Sequence, residues 1–122
     1  MQPEKKGLSL IEVVPAIAIL MAILLSMTGI FSQGYRYLRK SRMQTVACAL
    51  AQEKVEAQSV WPPSSSNEAY GTITGFLNFR RVCAVANDPT YPTSLRSITV
   101  TVFWQGEKGE QSLTLVSLVA NF

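Results

Sequence analysis

The chain has 122 residues, 48% of them apolar, with eleven Lys and Arg against eight Asp and Glu, a net charge of +3, two cysteines and no histidine. The missing histidine excludes Ser–His and Cys–His nucleophiles, and two cysteines far apart in sequence exclude zinc sites of ordinary spacing. So small a positive excess is no footprint for nucleic acid, no glycine-rich phosphate loop occurs, and the length suits one small domain plus one long helix. Neither enzymatic activity, a small-molecule substrate, a cofactor nor a metal is expected.

Residues 1–7 (MQPEKKG) form a short basic leader carrying Lys5 and Lys6. From Val13 to Phe31 the next 19 residues carry no charge, and Pro15, Ser26, Thr28 and Gly29 are the main interruptions. About 20 apolar residues rising 1.5 Å each cross the roughly 30 Å of bilayer hydrocarbon. Two other readings are open. A buried core helix is one, although a chain this short rarely buries a helix that is apolar all round. A secretory signal peptide is the other, but the run is long for that and a carboxylate, Glu12, stands at its front. A carboxylate in a membrane segment costs about 2.5 kcal/mol or more at the bilayer centre. Near the helix start the cost is lower because the helix dipole favours negative charge there. Glu12 either reaches the headgroups or takes a cationic partner.

The run Gly7-Leu8-Ser9-Leu10-Ile11-Glu12-Val13 resembles the processing and methylation motif of type IV pilin-like proteins, the prepilins and pseudopilins. The resemblance implies that a prepilin peptidase cuts after Gly7 and methylates the new amine of Leu8. It also implies that Glu12, fifth in the mature chain, pairs with the N-terminal amine of a neighbouring subunit during filament assembly. Leu8 stands where the family most often has Phe, and Pro15 where aliphatic or small residues are commoner. Pro15 removes one N–H and crowds the Ile11 carbonyl, which predicts a kink near Glu12 rather than a broken helix. Gly29 can loosen the helix further along. Loss of the leader removes Glu4, Lys5 and Lys6, a net +1, and leaves the mature chain near +2.

Four cations, Arg36, Arg39, Lys40 and Arg42, follow the apolar run at once. They oppose the positive-inside tendency set by Lys5 and Lys6; the leader motif implies a cytoplasmic leader, a single-pass inner-membrane anchor and an extracytoplasmic domain. The cations would meet headgroups or acidic residues, or lie on solvated helix surface. Gln44–Ser59 is rich in helix formers, and Met43, Val46, Leu50, Ala57 and Val60 make a stripe at 3–4 spacing. Glu53 and Glu56 read as solvated face. A helix over 8–59 is expected, roughly 75–80 Å long, stopped by Trp61-Pro62-Pro63 and followed by a flexible polar loop at Ser64–Asn67.

Beyond Tyr70 the period becomes two. Tyr70–Thr74 is a possible short strand or extended loop. Leu77–Val85 alternates, with Leu77, Phe79, Arg81, Cys83 and Val85 on one side, and Ser97–Trp104 is the clearest strand, with Ile98, Val100, Val102 and Trp104 facing one way. Asn87-Asp88-Pro89 and Tyr91-Pro92 read as a loop, Gln105–Glu110 as a turn, and Ser112–Ala120 as the returning strand. The expected fold is α+β, type IV pilin-like. A long N-terminal helix has a transmembrane first half (8–31) and an amphipathic second half (32–61) packed on an antiparallel meander of three main strands within 62–122.

The helix-end segment Ala51–Glu56, the Ile98–Trp104 strand and the glycine turn resemble V-type minor pilins and the I-type minor pseudopilins of type II secretion. This favours a minor component over a major pilin. The implied partners are other pilins or pseudopilins, the prepilin peptidase and the inner membrane. A ligand- or DNA-binding tip, using Arg80, Arg81, Arg96 and the Trp61–Tyr70 loop, and a solitary anchored protein left uncut at Gly7 are alternatives. If Cys48 and Cys83 lie outside the cytoplasm a disulfide is permitted, which would add roughly 3–4 kcal/mol; two buried thiols are the alternative.

Overall fold

A computed structural model describes Gly7 and residues 9–121; the leader residues 1–6 and Leu8 lie outside the described residues. One helix, α1 (Leu10–Gln58), precedes four strands: β1 (Ser66–Glu68), β2 (Phe79–Asn87), β3 (Leu95–Gly106) and β4 (Gly109–Ala120). The strands form one antiparallel sheet in the order β1-β2-β3-β4, a meander. The chain divides into two compact units, one ending at Arg39 and the other beginning at Lys40.

In the first unit, α1 starts where the sequence supplies a cap. Ser9 precedes the first helical residue, and its carbonyl accepts bonds from the amides of Glu12 and Val13 at 3.0 and 3.1 Å. Ser9-Leu10-Ile11-Glu12 has the S-x-x-E spacing of a capping box, with an acidic residue in the dipole-favoured first turn. The helix runs unbroken through Pro15. So near the helix start, a missing N–H removes one rung and leaves the rest of the ladder intact. The hydroxyls of Ser26 and Thr28 bond back to the carbonyls of Ala22 and Leu25, so neither presents an unsatisfied group along the apolar run.

In the second unit, the buried face of α1 is narrower than the sequence stripe. Ala47, Leu50 and Ala51 are buried, with Met43, Val46 and Val55 partly buried beside them, whereas Ala57 and Val60 are exposed. The helix ends at Gln58, before the stripe could continue, and the Gln58 side-chain carbonyl accepts the Ser64 amide at 2.8 Å. The Trp61–Pro62 peptide is cis. Facing this helix segment are Phe79 and Cys83 of β2, Ile98, Val100, Val102 and Trp104 of β3, and Val119 of β4, which form one cluster with it. Ile98, Val100 and Val102 are completely buried. Small residues on the helix side, Ala47 and Ala51, leave room for these large β-branched side chains, the complementarity that close packing requires.

The three main strands expected are β2, β3 and β4, and a short fourth strand, β1, joins them at the edge. β1 forms within the stretch read as a flexible loop: Ser66, Asn67 and Glu68 pair with Cys83, Val82 and Arg81. Tyr70–Thr74 is turn, not strand, with Gly71 at φ 83°. Leu77 lies outside β2 and is exposed. The β2–β3 connection is a loop from Asp88 to Ser94, as expected; the Asp88 carboxylate accepts the amides of Thr90 and Tyr91 at 2.8 and 3.0 Å. The Gln105–Glu110 turn is tighter than read. β3 and β4 stay paired to Gly106↔Gly109, so only Glu107 and Lys108 form the turn.

Candidate functional site

The sequence placed its site at the head of the apolar helix. Gly7 and Glu12 are exposed; Leu8, the other processing residue, lies outside the described residues. Around Glu12 the side chains of Leu10, Ile11, Val14 and Ile17 are also exposed, and the same holds along the run to Ile30 and Phe31. The best 18-residue window of α1 has a mean hydropathy of 2.5, and none of it is buried. An apolar helix with no protein covering it is no core helix of this chain; it is long and apolar enough to span a membrane once. Glu12 is the sole carboxylate between Gly7 and Gln52, and the cations nearest to it in sequence are Lys6 on one side and Arg36 on the other.

The second polar constellation lies in the other unit and was missed as a unit. Arg81 sits on the inward face of β2, only 6% exposed. Its Nε donates to Glu68 directly across the β1–β2 pair. Its Nη1 donates to the Leu50 carbonyl at 3.0 Å and lies 3.6 Å from the Glu53 carboxylate. Lys54 donates to the other oxygen of Glu68 at 3.1 Å. The bond from Arg81 holds the Glu68 carboxyl below the usual glutamate range, partial burial opposes the shift, and Lys54 adds to it. A cleft of about 290 Å³ opens beside these groups, lined by Leu50, Thr72, Ile73 and Phe76 among others. Its charges are mutually paired, which makes it a structural junction of helix, edge strand and β2. Glu53, read as solvated, is the exposed member of that junction.

The three arginines proposed for a ligand-binding tip have partners in this chain. Arg81 is buried, a correction to its place in a ligand-binding tip. Arg80 stacks 4.0 Å above the Phe103 ring and pairs at 3.1 Å with Glu110, which also accepts the Tyr70 hydroxyl at 2.8 Å. Burial, and then that bond to Glu110, pushes the Tyr70 phenol above its ordinary range. Arg96 stacks 4.8 Å from the Trp61 ring.

Cys48 and Cys83 are not bridged. Cys83 is buried under the sheet, its Sγ 3.8 Å from the Ser64 carbonyl, and burial raises its pKa. Cys48 flanks the buried helix face beside Ala47 and is partly exposed. The signal that could have found the Arg81 junction was an arginine at an inward position of an otherwise apolar strand, since such a charge requires buried partners. Among the described residues no group of three His, Cys, Asp or Glu side chains is placed to hold a metal. No protein-family model, curated protein or solved structure matches the chain.

Proposed function

We propose that the chain is a minor pilin or pseudopilin, a structural subunit that primes, caps or joins the tip of a type IV pilus-like filament at the inner membrane. The observation that carries this reading is Glu12, the lone carboxylate at the head of the bare, uncharged Val13–Phe31 run, five residues beyond Gly7 in the motif Gly7–Val13. An uncovered apolar helix is stable in lipid or among identical helices. A carboxylate in either setting takes a cation with it, and a new amine at Leu8, released by cleavage after Gly7, is such a cation. The helix followed by a four-stranded meander fits the pilin-like layout. The engagement of Arg80, Arg81 and Arg96 within the chain weighs against a DNA-binding tip.

The helix start sharpens the test, because Glu12 stands three residues after Ser9, at the N3 position that a capping-box Glu or Gln takes. Glu12→Gln keeps a capping side chain and removes the charge; Glu12→Ala removes both. In cells with their own peptidase, both variants are expected to start at Leu8 by intact mass and to be absent from sheared filaments. Incorporation of Glu12→Gln at the wild-type level would mean that Glu12 serves as a helix cap only. A mature chain still starting at Met1 would refute the assignment itself.

A further inference from the structure

We infer that residues Tyr35–Arg42 of α1 form a collar that binds the headgroups of anionic phospholipids at the edge of the apolar span. Phe31 ends the apolar run, and Arg36, the first charge after it, follows five residues later, about 7.5 Å along the helix. The polar layer outside the hydrocarbon is roughly 5–8 Å deep on each side. For a helix lying along the membrane normal, Arg36 is therefore level with the outer part of that layer, and Arg39, Lys40 and Arg42 follow just beyond. Helical side chains tilt toward the helix N-terminus, which here is toward the bilayer. Arginine and lysine stems lie on apolar surface while their heads reach phosphate, so the four cations lean back into the headgroups.

Three observations point to lipid in particular. First, the charge is unopposed locally: no Asp or Glu occurs from Val13 to Gln52, and the ion pairs among the described residues use Lys54, Arg80 and Arg81 instead. Second, Tyr35 and Tyr37 are 73% and 70% exposed, at the level where an aromatic belt sits at a membrane interface. Third, spacing places Arg36, Arg39, Lys40 and Arg42 on a continuous arc of about half the helix circumference, given 3.6 residues per turn. An arc this wide suits a fluid layer of headgroups around the helix better than one acidic side chain on a partner. The collar needs only a membrane-spanning helix; it holds whether or not the chain assembles into a filament.

The test uses the full chain, uncut, in phosphatidylcholine bilayers containing trace spin-labelled phosphatidylglycerol or spin-labelled phosphatidylcholine. The relative association of each label with the protein is read from the motionally restricted component. The expected result is a preference for phosphatidylglycerol of at least about fivefold, the factor corresponding to ~1 kcal/mol for a single cation near an anionic surface. It should fall toward parity in 1 M salt and in the variant R36Q/R39Q/K40Q/R42Q. Equal association of the two lipids with the wild-type chain overturns the collar. If the wild type shows no preference but the fourfold variant loses its partner subunits in membranes, the cations belong to a protein interface. A preference surviving in the variant also overturns it. Absence of any restricted lipid would refute both the collar and the span.

Discussion

Replacing Arg81 by methionine tests the charged junction of the second unit. Methionine keeps the apolar stem and removes the guanidinium. Two charge-assisted hydrogen bonds disappear, one to Glu68 and one to the Leu50 carbonyl. Bonds to charged groups contribute about 1.5–3 kcal/mol each. Glu68 keeps Lys54 and is 30% exposed, so water recovers part of its solvation. The pairing with Glu53, 68% exposed, adds little. The net loss is about 2–4 kcal/mol, below the upper end for breaking a fully buried pair. For a unit of this size that lowers Tm by roughly 10–25 °C. Thermal unfolding of the full chain in detergent, followed by near-ultraviolet circular dichroism of Trp61 and Trp104, reads this unit. The double variant Arg81→Met/Glu68→Gln should recover about 1 kcal/mol or more, because it removes the carboxylate left without its main partner. A single variant within about 0.5 kcal/mol of wild type, or a double variant no better than the single, would show that the junction contributes nothing specific.

The same junction sets an acid dependence. The Glu68 pKa is lowered in the folded state, chiefly by the Arg81 bond. Its contribution is therefore complete above the ordinary glutamate value, about 4.3, and is lost as the pH falls below it. Melting curves from pH 6 to pH 3 should show a steeper loss for wild type than for Arg81→Met; parallel losses would contradict the assignment. In the core, Ile98→Ala, at a fully buried position, should cost about 2–5 kcal/mol, while Leu118→Ala on the open face of β4 should stay within about 0.5 kcal/mol; urea midpoints compare the two. Iodoacetamide at pH 8 should label Cys48 before Cys83, since the Cys83 thiol is buried and its pKa raised; one label per native chain and two after unfolding is the expected mass. Two labels at equal rates would show that the Cys83 site opens readily.

The Val13–Phe31 run could be read as a membrane span from composition alone, because an uncharged segment of that length has few other places to go. The strand Ile98–Trp104 could be read for the same kind of reason. Its alternation assigns every second side chain to the core, and the structure buries Ile98, Val100, Val102 and Trp104. The helix end was fixed to within a residue by the prolines that follow Trp61. In each case a local periodicity or a local stereochemical rule carries the information.

What the tertiary structure alone decided involves polar groups whose partners are distant in the chain. Ser66–Glu68 has no apolar pattern, yet it becomes β1 because the outer edge of β2 offers its backbone a partner, and Arg81 and Lys54 hold Glu68 there. Arg81 alternated correctly onto the inward face, but that position is tolerable only because two carboxylates and a helix carbonyl converge on it. Cys48 and Cys83 lie on packed layers as expected and still do not bond. Cys83 points under the sheet toward Ser64, and Cys48 stands at the margin of the buried helix face. Periodicity specifies which face is buried; which distant atoms meet there depends on register and packing, which no single segment encodes.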